Sequence, residues 1–227
     1  IKVGQTLRYR ADVRTSGILG DSRENVSSAE IDTRVAKIDA AGYTFVLTLR
    51  KAPMSLPDQT ITFRRSGDIV DADGKPLQNH LSAGPLYDAF FFGVPPEHIA
   101  VGTTWNVTLD RPWQFGPAGT ATVKVGALDE QAHKVELRVT GTGSGSIGED
   151  AAGNRVSTEV NNRTVSAMKT PQRSKWTSIL HLADGIVVDE TTTVQTEWRV
   201  ASSSLAPAST YVEKRTSSLK LMSSTLP

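Results

Sequence analysis

The stretch "RVAKIDAAGYTFVLTL", residues 34–49, carries the pattern on which the fold turns. In its second half Tyr43, Phe45, Leu47 and Leu49 take alternate positions. Successive side chains of a strand point to opposite sides of a sheet, so this spacing predicts a strand with one buried face. The preceding "DAAGY" (39–43) sets a glycine where a tight hairpin needs a residue that tolerates positive φ.

The same hairpin pattern returns further along. "KVGALDEQAHKVELRV" (124–139) matches it with Val125 for Val35, Leu128 for Ile38, Asp129 for Asp39 and Leu137 for Leu47. Before it, "VGTTWNVT" (101–108) answers "VGQTLRYR" (3–10); after it, "DGIVVD" (184–189) answers "SGDIVD" (66–71), with Gly185 against Gly67. Matches that recur in one order at shifting spacing read as an old duplication whose halves differ in loop length.

Alternation also marks 4–13, 27–39, 58–65, 102–111, 119–128, 155–167, 174–183, 186–200 and 211–222. Several of these runs exceed the usual strand of ~5–6 residues, and long antiparallel strands twist and curl. The predicted fold is therefore all-β: a large curved antiparallel sheet, or a half-open or closed barrel, built from two related halves. One domain spans 1–227, divided into a first half (1–75), a helical connector (76–100), a second half (101–200) and a terminal strand (201–227). "DADGKP" (71–76) reads as a turn, the Gly- and Ser-rich "GTGSGSIGEDAAGN" (141–154) as a mobile loop, and "SSSLAPAS" (202–209) as a shorter flexible piece.

The connector is where the chain departs from period two. "LYDAFFFGVPPEH" (86–98) holds Phe90, Phe91 and Phe92 side by side, half of the six phenylalanines. Pro85 suits a first helical position, Asp88 favours the positive helix end, and Gly93 closes the element before Pro95 and Pro96. A short helix is thus expected at 84–92, with Leu86 beside Phe90, Tyr87 beside Phe91, and Phe92 between them. Burial of one Phe stabilises by roughly 1.5–3 kcal/mol, so this helix has to pack on the sheet, as a plug or as a lid. Tyr87, Phe90, Phe91 and Phe92 are the candidate ligand-contacting residues. Trp113, between Pro112 and Gln114 in a predicted loop, joins them as an exposed aromatic, whereas Trp105 aligns with Leu7 and is expected in the core.

Composition narrows the chemistry. Lys plus Arg number 25 and Asp plus Glu 24 among 227 residues, a net charge of +1 with no block of like charges, so nothing favours a nucleic acid or an anionic membrane as partner. No apolar run approaches the ~20 residues of a membrane-spanning helix. The opening "IKVGQTLRYR" lacks the layout of a signal peptide, which places any export signal before Ile1. The absence of cysteine removes disulfides, Cys-ligated zinc, iron–sulfur clusters and thiol nucleophiles together.

His80, His98, His133 and His181 form no zinc-type spacing, and no G-x-S-x-G elbow is present. His80 and His98 flank the expected helix and are the histidines to test. Asp68, Asp71 and Asp73 precede Gly74, but Ile69 and His80 stand where a calcium loop needs its first and twelfth ligands, so a turn is expected there. Glycine-rich 141–148 lacks the Lys-Ser/Thr of a phosphate loop. No catalytic residue, metal site or cofactor is predicted.

The strand openings "VGQTLRY" and "VGTTWNV", the lead-in "PPEHIAVGTTW" and the G-x-V-V-D hairpin resemble those of uncharacterised exported bacterial β-rich proteins, including lipoprotein-type families. The layout is more loosely similar to the half-open barrels of lipoprotein carriers, in which a curved sheet covered by short helices holds acyl chains. That resemblance implies an extracytoplasmic protein (periplasmic, secreted or lipid-anchored) that binds a lipid or another hydrophobic small molecule in an apolar cavity without catalysis. The alternative is a structural or protein-interaction module of the envelope, meeting a partner protein through an exposed edge strand at 211–222 or the loop 141–154. A third possibility is a hydrolase using His80 or His98 with Asp68 to Asp73.

Overall fold

The computed structural model describes residues 1–17, 23–51, 57–64, 69–75, 92–93, 95–109, 118–147, 157–160, 163–166, 170–200 and 209–226. The alternating runs become strands: β1 (Thr6–Ser16), β2 (Asn25–Ile38), β3 (Gly42–Lys51), β4 (Gln59–Arg64), β5 (Ile69–Val70), β6 (Thr104–Leu109), β7 (Gly119–Asp129), β8 (Lys134–Ile147), β9 (Ser157–Val160), β10 (Arg163–Ser166), β11 (Thr170–Ala183), β12 (Ile186–Val200) and β13 (Ser209–Thr225). Among the described residues β9 and β10 pair only with each other, and the other strands form one 11-stranded antiparallel sheet.

The strand order, β5-β4-β3-β2-β1-β13-β12-β11-β8-β7-β6, has a simple logic. Strands β1 to β5 form one meander and β6 to β12 another, each strand beside its predecessor once the β9–β10 hairpin is set aside. The last strand, β13, then zips the two together by pairing with β1 on one side and β12 on the other. Both termini thus lie in mid-sheet, where Gln5 donates to Ser224 Oγ at 2.8 Å. Strands β5 and β6 are the edges of the described sheet, and the chain from 71 to 103 joins one edge to the other.

One face of the sheet carries the core. On β11, Gln172, Ser174, Trp176, Ser178, Leu180 and Leu182 are buried while the residues between them are exposed, as period two demands. Leu7 and Tyr9 of β1, Val35 of β2, Phe45 of β3, Ile61 of β4 and Val125 of β7 belong to the same buried cluster. Phe45 and Phe63 meet edge to face, with ring centroids 5.6 Å apart, across the β3–β4 pair. Bulges at Arg8/Tyr9, Glu30/Ile31, Val35/Lys37, Val125/Ala127 and His181/Leu182 add local twist and bend the sheet around this inner face.

The openings of the two meanders have the same backbone geometry. Gly4 (φ 84°) donates to Val35 O at 2.8 Å, and Gly102 (φ 89°) to Val125 O at 2.9 Å. Val35 N in turn donates to Gln5 O, and Val125 N to Thr103 O, at 2.8 and 2.9 Å. A bulge follows each of these valines at the next residue.

Two sequence expectations need correction. The segment 211–222 is no edge: β13 is bonded on both sides, because alternation shows that a strand exists but not which neighbours it finds. Residues 141–147 are no loop but the second half of β8, paired with β11 from Gly141↔Trp176 to Ile147↔Thr170. Glycine is needed there for close approach, since a Cβ on Gly141 would overlap the indole of Trp176. The expected helix at 84–92 lies outside the described residues except for Phe92, which sits in a turn.

Candidate functional site: the inner face of the sheet

The two ends of the sheet differ. At one end the strands are joined by short turns, 39–41, 130–133 and 184–185. Asp39 closes the first by accepting the amides of Ala41 and Gly42 at 2.8 and 3.1 Å. At the other end lie the longer connections 17–24, 52–58, 110–118, 148–169 and 201–208.

The inner face is graded along the same axis. Toward the turns it is apolar: Leu7, Val35, Phe45, Leu137, Leu182 and Val187 are all buried there. Toward the long connections Thr15, Gln172, Ser174, Thr196 and Ser217 of the central strands are buried, with Leu109 of edge strand β6 at the level of Ser174 and half-buried Trp198 and Tyr211 beside Gln172. An ion pair between Arg215 and Glu213 (2.9 Å) lies on this polar part of β13. Burial of so much hydroxyl and amide surface is unfavourable unless hydrogen bonds compensate it. Tyr9 Oη, Thr33 Oγ1 and Ser174 Oγ are nonetheless buried without a partner.

Glu190 sits where the two zones meet. Its neighbours across the sheet are Leu180 on β11 and Leu219 on β13, both about 1% exposed, and Glu190 itself is 2% exposed. Thr192 Oγ1 donates to Glu190 Oε1 at 2.6 Å, and Thr192 and Ser178 share a further hydrogen bond of 2.6 Å. Burial is the main force pushing this carboxyl up to about 7; the Thr192 hydrogen bond opposes it, and the nearby charge of Asp189 adds to it.

Of the predicted ligand residues, Tyr87, Phe90, Phe91 and Trp113 lie outside the described part of the chain. Phe92 is described, half-buried, and packs against the core cluster. Its carbonyl accepts Trp105 Nε1 at 2.6 Å, and Gly93 after it lies against Val107. The end of the Phe-rich segment is therefore pinned to the inner side of edge strand β6. Trp105 is part-buried beside the core, as its match to Leu7 predicts.

His80 also lies outside the described residues, and His98 is exposed. His181 stands on the outer face between Glu136 and Asp189, 3.5 Å from each. Among the described residues no group of three or more His, Asp or Glu could hold a metal ion. Asp71 Oδ1 accepts the amides of Asp73 and Lys75, both at 2.9 Å, which makes 71–75 the turn its composition predicts.

Open grooves on the opposite face are lined by hydrophilic side chains. One of about 580 Å³ runs past Thr120, Thr142, Arg173, Lys175 and Glu197.

Glu190 was missed in the sequence because "DETTTVQTE" (189–197) reads as a solvated strand. A phase count finds it: stepping back by two from apolar Val194 lands on Thr192 and then Glu190, so both share the buried side.

No family model and no curated protein matches this sequence. The fold is that of a solved lipovitellin structure described as "Lipid-protein interactions in lipovitellin" (TM-score 0.52, 10% identity), which the chain matches over 99% of its own length and 26% of that protein's. The chain thus corresponds to about a quarter of lipovitellin. A crystal structure of an outer membrane lipoprotein-sorting protein domain from Vibrio parahaemolyticus also matches, at a TM-score of 0.29 and 7% identity over 98% of this chain and 85% of that one.

Proposed function

We propose that this protein is a non-catalytic, extracytoplasmic binder of a hydrophobic small molecule, held on the inner face of the curved sheet. The observation that carries this is the make-up of that face, mainly apolar toward the turns and carrying buried hydroxyls and amides on its central strands toward the long connections, which suits a molecule with an apolar body and a polar head. Phe92, pinned to the inner side of β6 and packed against the core cluster, supports an aromatic contribution to that face. The fold shared with a protein described for its lipid interactions supports the same reading by analogy.

The competing module reading named 211–222 and 141–154 as docking surfaces. The first is mid-sheet and 141–147 is paired strand, so those surfaces do not favour it. We further infer that the two meanders are duplicates within one domain, supported by the matched openings at Gly4 and Gly102.

Native mass spectrometry of protein purified without detergent tests the binding reading. A co-purified mass is expected, together with enhanced N-phenyl-1-naphthylamine fluorescence on addition of the dye. Phe92→Asp should weaken dye binding about tenfold or more, the scale of one buried Phe. A bare apo mass with no dye response would end the proposal.

A further inference from the structure

The carboxyl of Glu190 has no structural return among the described residues. A leucine in its place would continue the apolar floor between Leu180 and Leu219, whereas a buried carboxyl must either keep its proton or find a cation. The other described charges of the inner face are Glu213 and Arg215, and they neutralise each other. Arg215 faces Val194, two same-face steps further toward the polar end. From β1 the neighbouring titratable group is Tyr9, whose hydroxyl has no partner. From β11 come Ser178 and Leu180, and from β13 Ser217 and Leu219. Asp189 and His181 project to the opposite face. Glu190 is thus the one described inner-face charge without a counter-charge.

We propose that Glu190 receives the cationic head of an amphiphilic ligand, a protonated amine carried on an apolar body that lies on the floor of the inner face. This rests on the hydrophobic-ligand reading above and names the chemical class of that ligand. The ammonium group donates to the Glu190 carboxylate, which Thr192 and Ser178 steady from one side. The unpartnered hydroxyls of Tyr9 and Thr33 are further hydrogen-bonding groups on the same face. Attraction between the two charges is strong here because the surroundings exclude water. In the free protein burial keeps the carboxyl protonated up to about pH 7, so binding below that pH expels one proton. Affinity for the amine then rises with pH, about tenfold per pH unit, and levels off near 7.

The experiment compares dodecylamine, dodecanol and dodecanoate by calorimetry on the full chain, from pH 5.5 to 8.5. The expected result is that dodecylamine binds wild type about tenfold or more tightly than dodecanol at pH 8, weakens as pH falls, and loses its advantage in Glu190→Gln. Gln keeps an acceptor for Thr192, and thermal unfolding of the variant checks its fold. The pH series on wild type stands by itself if the variant does not fold. Equal binding of amine and alcohol, a flat pH profile, or an amine preference that survives in Glu190→Gln overturns the assignment while leaving the hydrophobic site intact. If none of the three binds, the hydrophobic-ligand reading fails and this one falls with it.

Discussion

Asp32, on the outer face of β2, accepts Arg8 through both oxygens (2.7 and 3.0 Å) and Arg50 at 2.8 Å, whereas Glu190 inside has one hydroxyl. The guanidinium of Arg8, foremost, holds the Asp32 carboxyl below its usual range, against a smaller opposing effect of burial. Burial drives Glu190 the other way, and the two give opposite pH slopes. Asp32 contributes stability that is present above the ordinary carboxylate range and lost as pH falls through its depressed value. Glu190 keeps its proton in the folded state after the unfolded chain has given it up, so its contribution declines as pH rises from 4.5 to about 7. The decline amounts to about 3 kcal/mol at roughly 1.4 kcal/mol per tenfold change in proton affinity. Urea unfolding at pH 5 and pH 8 should show most of that loss in wild type, and Glu190→Gln should abolish it. Asp32→Asn should lower stability by about 1 kcal/mol at pH 7, because its arginine partners are half exposed and water screens the pairing.

At the scale of elements, β8 and β11 are held by a close approach in which the Trp176 indole covers Gly141. Gly141→Ala should destabilise by about 1–3 kcal/mol through overpacking, read as a lower urea midpoint at unchanged slope. This contact also shows where sequence reading stops. The strand runs and the turns at 39–41 and 184–185 are legible because alternation and glycine placement are local. Gly141 stands in a run of loop-like composition, since what it accommodates, the Trp176 indole, lies on another strand. Glu190 is hidden for the converse reason: its strand carries few apolar residues, and Val194 and Trp198 betray its buried side whereas Val187, beyond a register shift, is in the opposite phase. The existence of β13 is visible in the alternation of 211–222, but its full span Ser209–Thr225 and its central place are not, because pairing with β1 links residues up to 219 apart.

For the whole molecule, the sheet is an up-and-down meander opened between β5 and β6 and closed between β13 and β1. A circular permutant that joins the present termini and opens the exposed stretch 95–98 should therefore keep the fold, with far-UV circular dichroism and a cooperative melt like those of the parent. It should also refold faster, because the β1–β13 pairing becomes a local hairpin. A permutant that refolds at the parent's rate would show that this pairing is not made in the rate-limiting step.

The place of β13 has a further outcome during synthesis. Until the ribosome has released residues 209–225, β1 and β12 each present a long row of unpaired amides and carbonyls, and such rows invite pairing with other chains. The nascent polypeptide is thus two sticky half-sheets awaiting a keystone. A nonsense mutation that removes only this strand should yield aggregates rather than a slightly shortened soluble protein.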